Sequence, residues 1–154
     1  MIKTQIPVTW TEEDYQNLPW VCNQIPTEKF NATVYMCFDE KILVKFYKAV
    51  EQLPLKKKVV AVNKLTPGQI LPYHSDKYAE YKRRNDINDK DQNKIIRYIV
   101  FLHDQKAGHQ LWIKDQICLG PAGSAFGWSF GTAHMAANLG WDDRYILQVT
   151  GIDV

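Results

Sequence analysis

Histidine is scarce in this chain, with only four among 154 residues: His74, His103, His109 and His134. Cysteine is sparse as well. Cys22, Cys37 and Cys118 are odd in number and far apart, and no CxxC pair exists. That excludes a zinc knuckle and a thioredoxin-type site. Three separate thiols suit a reducing compartment, where they act as small buried hydrophobes. Long apolar runs are missing. The most apolar stretch, Ile95–Leu102, is short and carries Arg97, so no segment reads as a membrane span. The first residues lead into Glu12-Glu13-Asp14 without the apolar core of a signal peptide. A soluble cytoplasmic protein is expected.

An excess of one charge sign is also lacking. Nineteen Lys and Arg face seventeen Asp and Glu, for a net charge of +2. A dedicated nucleic-acid binder would carry a concentrated basic face, so none is expected as a partner. The length suits one domain.

Glycine is rare early and frequent late. Gly68 is the only one before residue 108, and seven follow from Gly108 to Gly151. Short apolar runs between glycine-bearing turns predict strands. The expected strands are 59–65, 70–74, 95–103, 110–114, 116–119, 124–128, 132–138 and 144–151. Regular spacing of this kind points to a sandwich or barrel. The part up to about residue 58 reads as helical. Thr11–Asp14 has the form of a capping box before a short helix. Asp39 is placed to cap a longer one over about 40–53, whose Ile42, Leu43, Phe46, Tyr47, Val50 and Leu53 share a face. The segment 77–94 holds six basic and four acidic residues and reads as a solvated surface loop that could serve as a lid. Lys56-Lys57-Lys58 reads as a solvated turn.

His74-Ser75-Asp76 closes the expected strand 70–74. In extended chain, residues two apart face the same side, so an imidazole and a carboxylate are presented together. His134 follows 58 residues after Asp76, in another strand. Two histidines and a carboxylate on one face of a metal, with the opposite positions open, are the donor set of non-haem Fe(II) oxygenases. Arg144 lies ten residues beyond His134. Its planar guanidinium suits bidentate capture of a carboxylate, such as the distal one of 2-oxoglutarate.

With these residues in place the chain resembles the Fe(II)/2-oxoglutarate-dependent dioxygenases. The resemblance rests on His74-Ser75-Asp76, on RYIVFLHD at 97–104 and on GSAFGWSFGTAHMAANLGWDDRYILQVTG at 123–151, and it covers roughly residues 59–152. Its texture is similar to the aspartyl/asparaginyl β-hydroxylase branch, with prolyl hydroxylases next. The resemblance implies a mainly β fold, a double-stranded β-helix related to jelly rolls and cupins, with the N-terminal helices packed on one outer face. It implies that His74, Asp76 and His134 bind Fe(II), that Arg144 holds the C5 carboxylate of 2-oxoglutarate, and that Arg97 assists. O2 would be the second co-substrate. The implied product is a hydroxylated C–H bond on a peptidyl side chain (Pro or Asp/Asn) or a free amino acid. Two departures concern the branch: some of its members lack the acidic ligand, here Asp76, and it often has a histidine where this chain has Ile99. Thr150 stands where the nucleic-acid demethylase branch has a second arginine. A non-catalytic cupin-like module binding metal or a small ligand is the alternative.

Other residues carry weaker expectations. Alternation turns Arg97, Ile99 and Phe101 to one face, expected inward because a cation beside that apolar wall needs an anion partner. His103 and His109 read as exposed turn residues. Trp112, Trp128 and Trp141 read as core, with Trp112 or Trp128 alternatively walling the pocket. Asn138 either supports the metal ligands or begins a turn. Tyr78, Tyr81, Lys82, Arg83 and Arg84 read as solvated, or as substrate contacts if the loop is a lid.

Overall fold

The computed structural model describes residues 1–26 and 31–154. Among the described residues, eleven strands form two antiparallel sheets. They are β1 (Ile2–Gln5), β2 (Val21–Pro26), β3 (Asn31–Cys37), β4 (Leu55–Leu65), β5 (Ile70–His74), β6 (Ile95–Phe101), β7 (His109–Ile113), β8 (Gln116–Ile117), β9 (Ser124–Ser129), β10 (His134–Asn138) and β11 (Arg144–Asp153). The larger sheet runs β1-β9-β6-β11-β4-β3-β2 and the smaller β5-β10-β7-β8. The two sheets face each other as a double-stranded β-helix.

Alternation along the central strands explains the layers. Ile99 and Phe101 on β6, Ile146 on β11, and Phe126 and Trp128 on β9 turn inward and meet Leu111 and Ile113 of β7. The intervening residues, Tyr98, Val100, Leu147, Val149, Val60 and Val62, turn outward. There they are covered by Trp10, by Tyr15 of α1 (Glu13–Gln16), and by Phe46 of α2 (Val44–Ala49). Both faces of these strands are therefore buried, which is why β6 reads as one apolar run.

The N-terminal part departs from its expected helical character. It supplies β1, β2 and β3, and its helices are short. Asp39 does start a turn, its carboxylate accepting the Lys41 N–H at 2.9 Å, but α2 begins only at Val44. Sheet edges override helical propensity here, because β1 and β3 complete ladders that β9 and β4 leave open. The three lysines lie within β4, with Lys57 at a φ of 51° beside a register shift against β11. They sit at a bulge rather than in a turn. The segment 77–94 folds as α3 (Ala79–Asn85) and a 3₁₀ turn (Gln92–Lys94). Tyr78 and Tyr81 are buried against Ile95, so this segment is anchored. Lys82, Arg83 and Arg84 engage nearby side chains at its surface. Among the described residues no helix is long and apolar enough to cross a membrane.

Candidate metal centre

The smaller sheet places the two histidines opposite each other. His74 ends β5, His134 begins β10, and the two are direct antiparallel partners. Their ring centroids are 4.5 Å apart. Each ring is fixed by its own backbone. His74 Nδ1 lies 2.7 Å from the Pro72 carbonyl and His134 Nδ1 lies 3.0 Å from the Thr132 carbonyl. A carbonyl can only accept, so both Nδ1 atoms carry a proton and both Nε2 atoms face the site, able to bind a metal through the lone pair or, when protonated, to donate to Asp76.

Asp76 completes the group. Its Oδ1 is 3.5 Å from His74 Nε2 and its Oδ2 is 3.3 Å from His134 Nε2. All three potential ligand atoms lie within 4.8 Å of one another, close enough to share one ion. Burial opposes ionisation of Asp76, but hydrogen bonds from His134 and His74 and the charge of Arg97 hold its carboxyl well below the usual range. The hydrogen bond with Asp76 raises the His74 pKa.

Arg97 faces inward, as alternation predicts. Its Nη1 donates to Asp76 Oδ2 at 2.8 Å and its Nε donates to Thr150 Oγ1 at 3.0 Å. Tyr78 covers the guanidinium, 4.5 Å from ring to Cζ. Arg97 therefore holds the carboxylate of the metal group, and this chain directs that cation first to Asp76.

Arg144 lies deeper in the same cavity, which has a volume of about 310 Å³. Its side chain starts at the foot of β11, opposite Leu65 of β4. The residue is only 5 % exposed. Burial pushes its pKa down to about 10, which leaves it a cation at neutral pH. No hydrogen bond or ion pair reaches its guanidinium from the described residues, and Nη2 is buried without a partner. A buried guanidinium without a counter-ion is costly, and an anionic ligand relieves the cost. Ile99, Leu111 and Ile146 wall the space between Arg144 and the His–Asp–His group. Trp128 stacks on His134 with centroids 4.3 Å apart and lines the cavity as well.

Several expectations need correction. His103 and His109 are not exposed turn residues. His109 is 4 % exposed, its Nε2 meets the Asp142 carbonyl at 2.9 Å, and His103 Nε2 accepts the Tyr145 N–H at 3.1 Å. Both sit near Arg144, where burial first and neighbouring positive charge second depress their pKa values. Trp141 is not core but 94 % exposed. Trp112 belongs to neither the core nor the cavity wall, because it alternates outward from Leu111 and Ile113 and donates to Gln110 Oε1. Asn138 begins a turn, donating to the Leu65 and Asp142 carbonyls and accepting the Gly140 N–H. Thr150, Gln148 and Asn63 escaped the sequence reading. Strand parity offered a signal for two of them, since Gln148 and Thr150 share the face of Arg144.

The buried His109 and half-buried His103 have a pH consequence. Their depressed folded values mean that the unfolded chain takes up protons first as pH falls below about 6.5. The stability they confer in the neutral form is present above that value and lost progressively below it. Wild type should lose stability on acidification more steeply than His109→Gln. Urea midpoints across this range measure the difference, and parallel curves would refute the assignment.

Comparison with known proteins adds the fold context. No protein-family model matches the sequence, and no curated protein matches it. Among solved structures, an oxidoreductase of the 2OG-Fe(II) oxygenase family from Burkholderia pseudomallei superposes with a TM-score of 0.59 at 8 % identity, covering 92 % of this chain and 76 % of that one. A Pseudomonas putida prolyl-4-hydroxylase superposes with a TM-score of 0.57 at 15 % identity, covering 86 % and 77 %. A cupin protein from Desulfovibrio desulfuricans gives a TM-score of 0.43 at 12 % identity, covering 88 % and 84 %. At these identities the likeness concerns the fold.

Proposed function

We propose that this chain is an Fe(II)- and 2-oxoglutarate-dependent dioxygenase that hydroxylates an unactivated C–H bond. One observation carries the reading. A buried arginine without a counter-ion among the described residues and a His–Asp–His group share one cavity. Two neutral imidazole nitrogens and one carboxylate fit Fe(II) and leave its other positions open. His74, Asp76 and His134 would hold the iron, which supplies the centre where O2 and 2-oxoglutarate react. The overall change is 2-oxoglutarate + O2 + R–H → succinate + CO2 + R–OH.

The residues have separable tasks. The Pro72 and Thr132 carbonyls fix the two rings, so both Nε2 atoms are oriented in advance. Arg97 holds Asp76 Oδ2, limiting rotation of the carboxylate. Arg144 receives the distal carboxylate of 2-oxoglutarate and thereby aims the keto-acid end at the metal group. Ile99, Leu111, Ile146 and Trp128 keep water from the reacting atoms. The substrate we propose is a peptidyl side chain (Pro or Asp/Asn) or a free amino acid, with no nucleic-acid partner.

Anaerobic addition of 2-oxoglutarate to the Fe(II) protein should produce a weak visible charge-transfer absorption, and admission of O2 should yield succinate. His74→Ala should abolish both. A protein that binds metal yet gives neither signal would instead be a cupin-like binding module. Wild-type succinate formation by His74→Ala would remove the metal assignment itself.

A further inference from the structure

The side of the cavity formed by β2, β3, β4 and β11 carries polar groups that the proposed reaction does not use. Asn63 on β4 and Gln148 on β11 both turn inward and line the cavity beside the apolar Ile99 and Ile146. Asn63 Nδ2 donates to Gln148 Oε1 at 3.4 Å. Asn63 Oδ1 is buried and accepts no hydrogen bond from the described residues. Among the described residues, Gln148 Nε2 finds no acceptor. Met36 of β3 lies across from Asn63, with its sulfur 3.5 Å from Asn23 Nδ2 of β2, and both line the same wall.

Two amides joined by one hydrogen bond still present one acceptor and one donor. This holds for either orientation of the pair, since reversing both amides only exchanges which residue supplies which. The buried Asn63 Oδ1 needs a donor and the Gln148 amide beside it lines the cavity, so this edge suits a ligand that donates and accepts side by side. A carboxylate only accepts and would set its oxygen against that of Asn63. An ammonium only donates and would oppose the Gln148 amide. A neutral primary carboxamide matches both at once, and so do the N–H and C=O of one extended peptide residue, which point the same way.

We infer that Asn63 and Gln148 form an amide-reading pair that selects a substrate through a primary amide or through the N–H and C=O of one extended peptide residue. The inference rests on the proposed function for the direction in which the substrate meets the metal group. It decides between the two substrate kinds proposed above. A residue inside a peptide offers the amide, whereas a free amino acid offers an ammonium and a carboxylate.

The side-chain NH2 resonances of Asn63 and Gln148 give a readout independent of turnover. Spectra would be recorded with N-acetylprolinamide, with N-acetylasparagine N-methylamide, and with free proline and aspartate, which carry no amide. Each titration would be run with and without Zn(II) plus 2-oxoglutarate, whose own binding is followed at the Trp128 indole N–H. The amides should shift both side-chain resonances and bind at least about tenfold tighter than the free amino acids. Gln148→Met and Asn63→Leu should each erase most of that ratio, whereas a merely structural defect would weaken both classes of probe alike. Equal binding of the two classes, or amide binding that leaves both resonances unmoved, overturns the inference. Failure at the Trp128 resonance would count against the dioxygenase reading and leaves the amide comparison to be judged by itself.

Discussion

Replacing Arg144 with methionine should make the ligand-free protein more stable while removing most of its affinity for 2-oxoglutarate. The side chain is buried, charged and without a counter-ion among the described residues. Methionine keeps much of the length and packs against Phe101 and Ile146 without the desolvation cost. Replacing buried ionic groups by apolar ones of similar volume is neutral or stabilising by about 1–4 kcal/mol. For a domain of this size each kcal/mol raises the melting temperature by roughly 2–4 °C. The binding loss follows from the same charge. Removing one partner of a buried ion pair costs about 2–5 kcal/mol, or roughly 30-fold to several thousand-fold in Kd. Calorimetric titration of Mn(II)-loaded protein with 2-oxoglutarate reads the second effect, and a melting curve without ligand reads the first. Unchanged affinity would show that the carboxylate binds elsewhere. A large fall in stability would show that Arg144 is a structural cation.

The second large effect concerns Asp76, which has a different role in each state of the site. In the proposed function it is a metal ligand. Without metal it is the counter-ion of Arg97, at 2.8 Å, and neither side chain exceeds 22 % exposure. Asp76→Ala should therefore cost stability even before metal is added. The cost should be about 2–3 kcal/mol, somewhat below that of a fully buried pair. Divalent metal at a hundred times its Kd should stabilise wild type by about 2.7 kcal/mol and Asp76→Ala hardly at all. Chelator should reverse the wild-type gain. Equal metal-induced melting shifts in both proteins would exclude Asp76 as a ligand.

Much of the candidate site was legible because it is written in local periods. The two-residue alternation of strands puts Arg97, Ile99 and Phe101 on one side, and the structure places them inward. The same rule applied to β11 would have set Gln148 and Thr150 beside Arg144. Errors arose where burial depends on distant partners. His103 and His109 flank a turn and look exposed, yet Tyr145 and Asp142 from the start of β11 close over them. The N-terminal strands were hidden for a related reason. An edge strand is formed by the unpaired ladder it meets, here β9 for β1, and its own residues are largely exposed.

The sequence alone determined which chemistry was affordable. It supplies two spaced histidines, one carboxylate two residues after the first, and an arginine in a strand otherwise made of apolar residues. Tertiary structure decided how these meet. Register pairs His74 with His134 across 60 residues, Arg97 reaches Asp76 21 positions away, and Asn63 finds Gln148 at a separation of 85. Side-chain periodicity fixes the face on which a residue lies. The partner on that face is set by strand order, register and the helices that bury the reverse side.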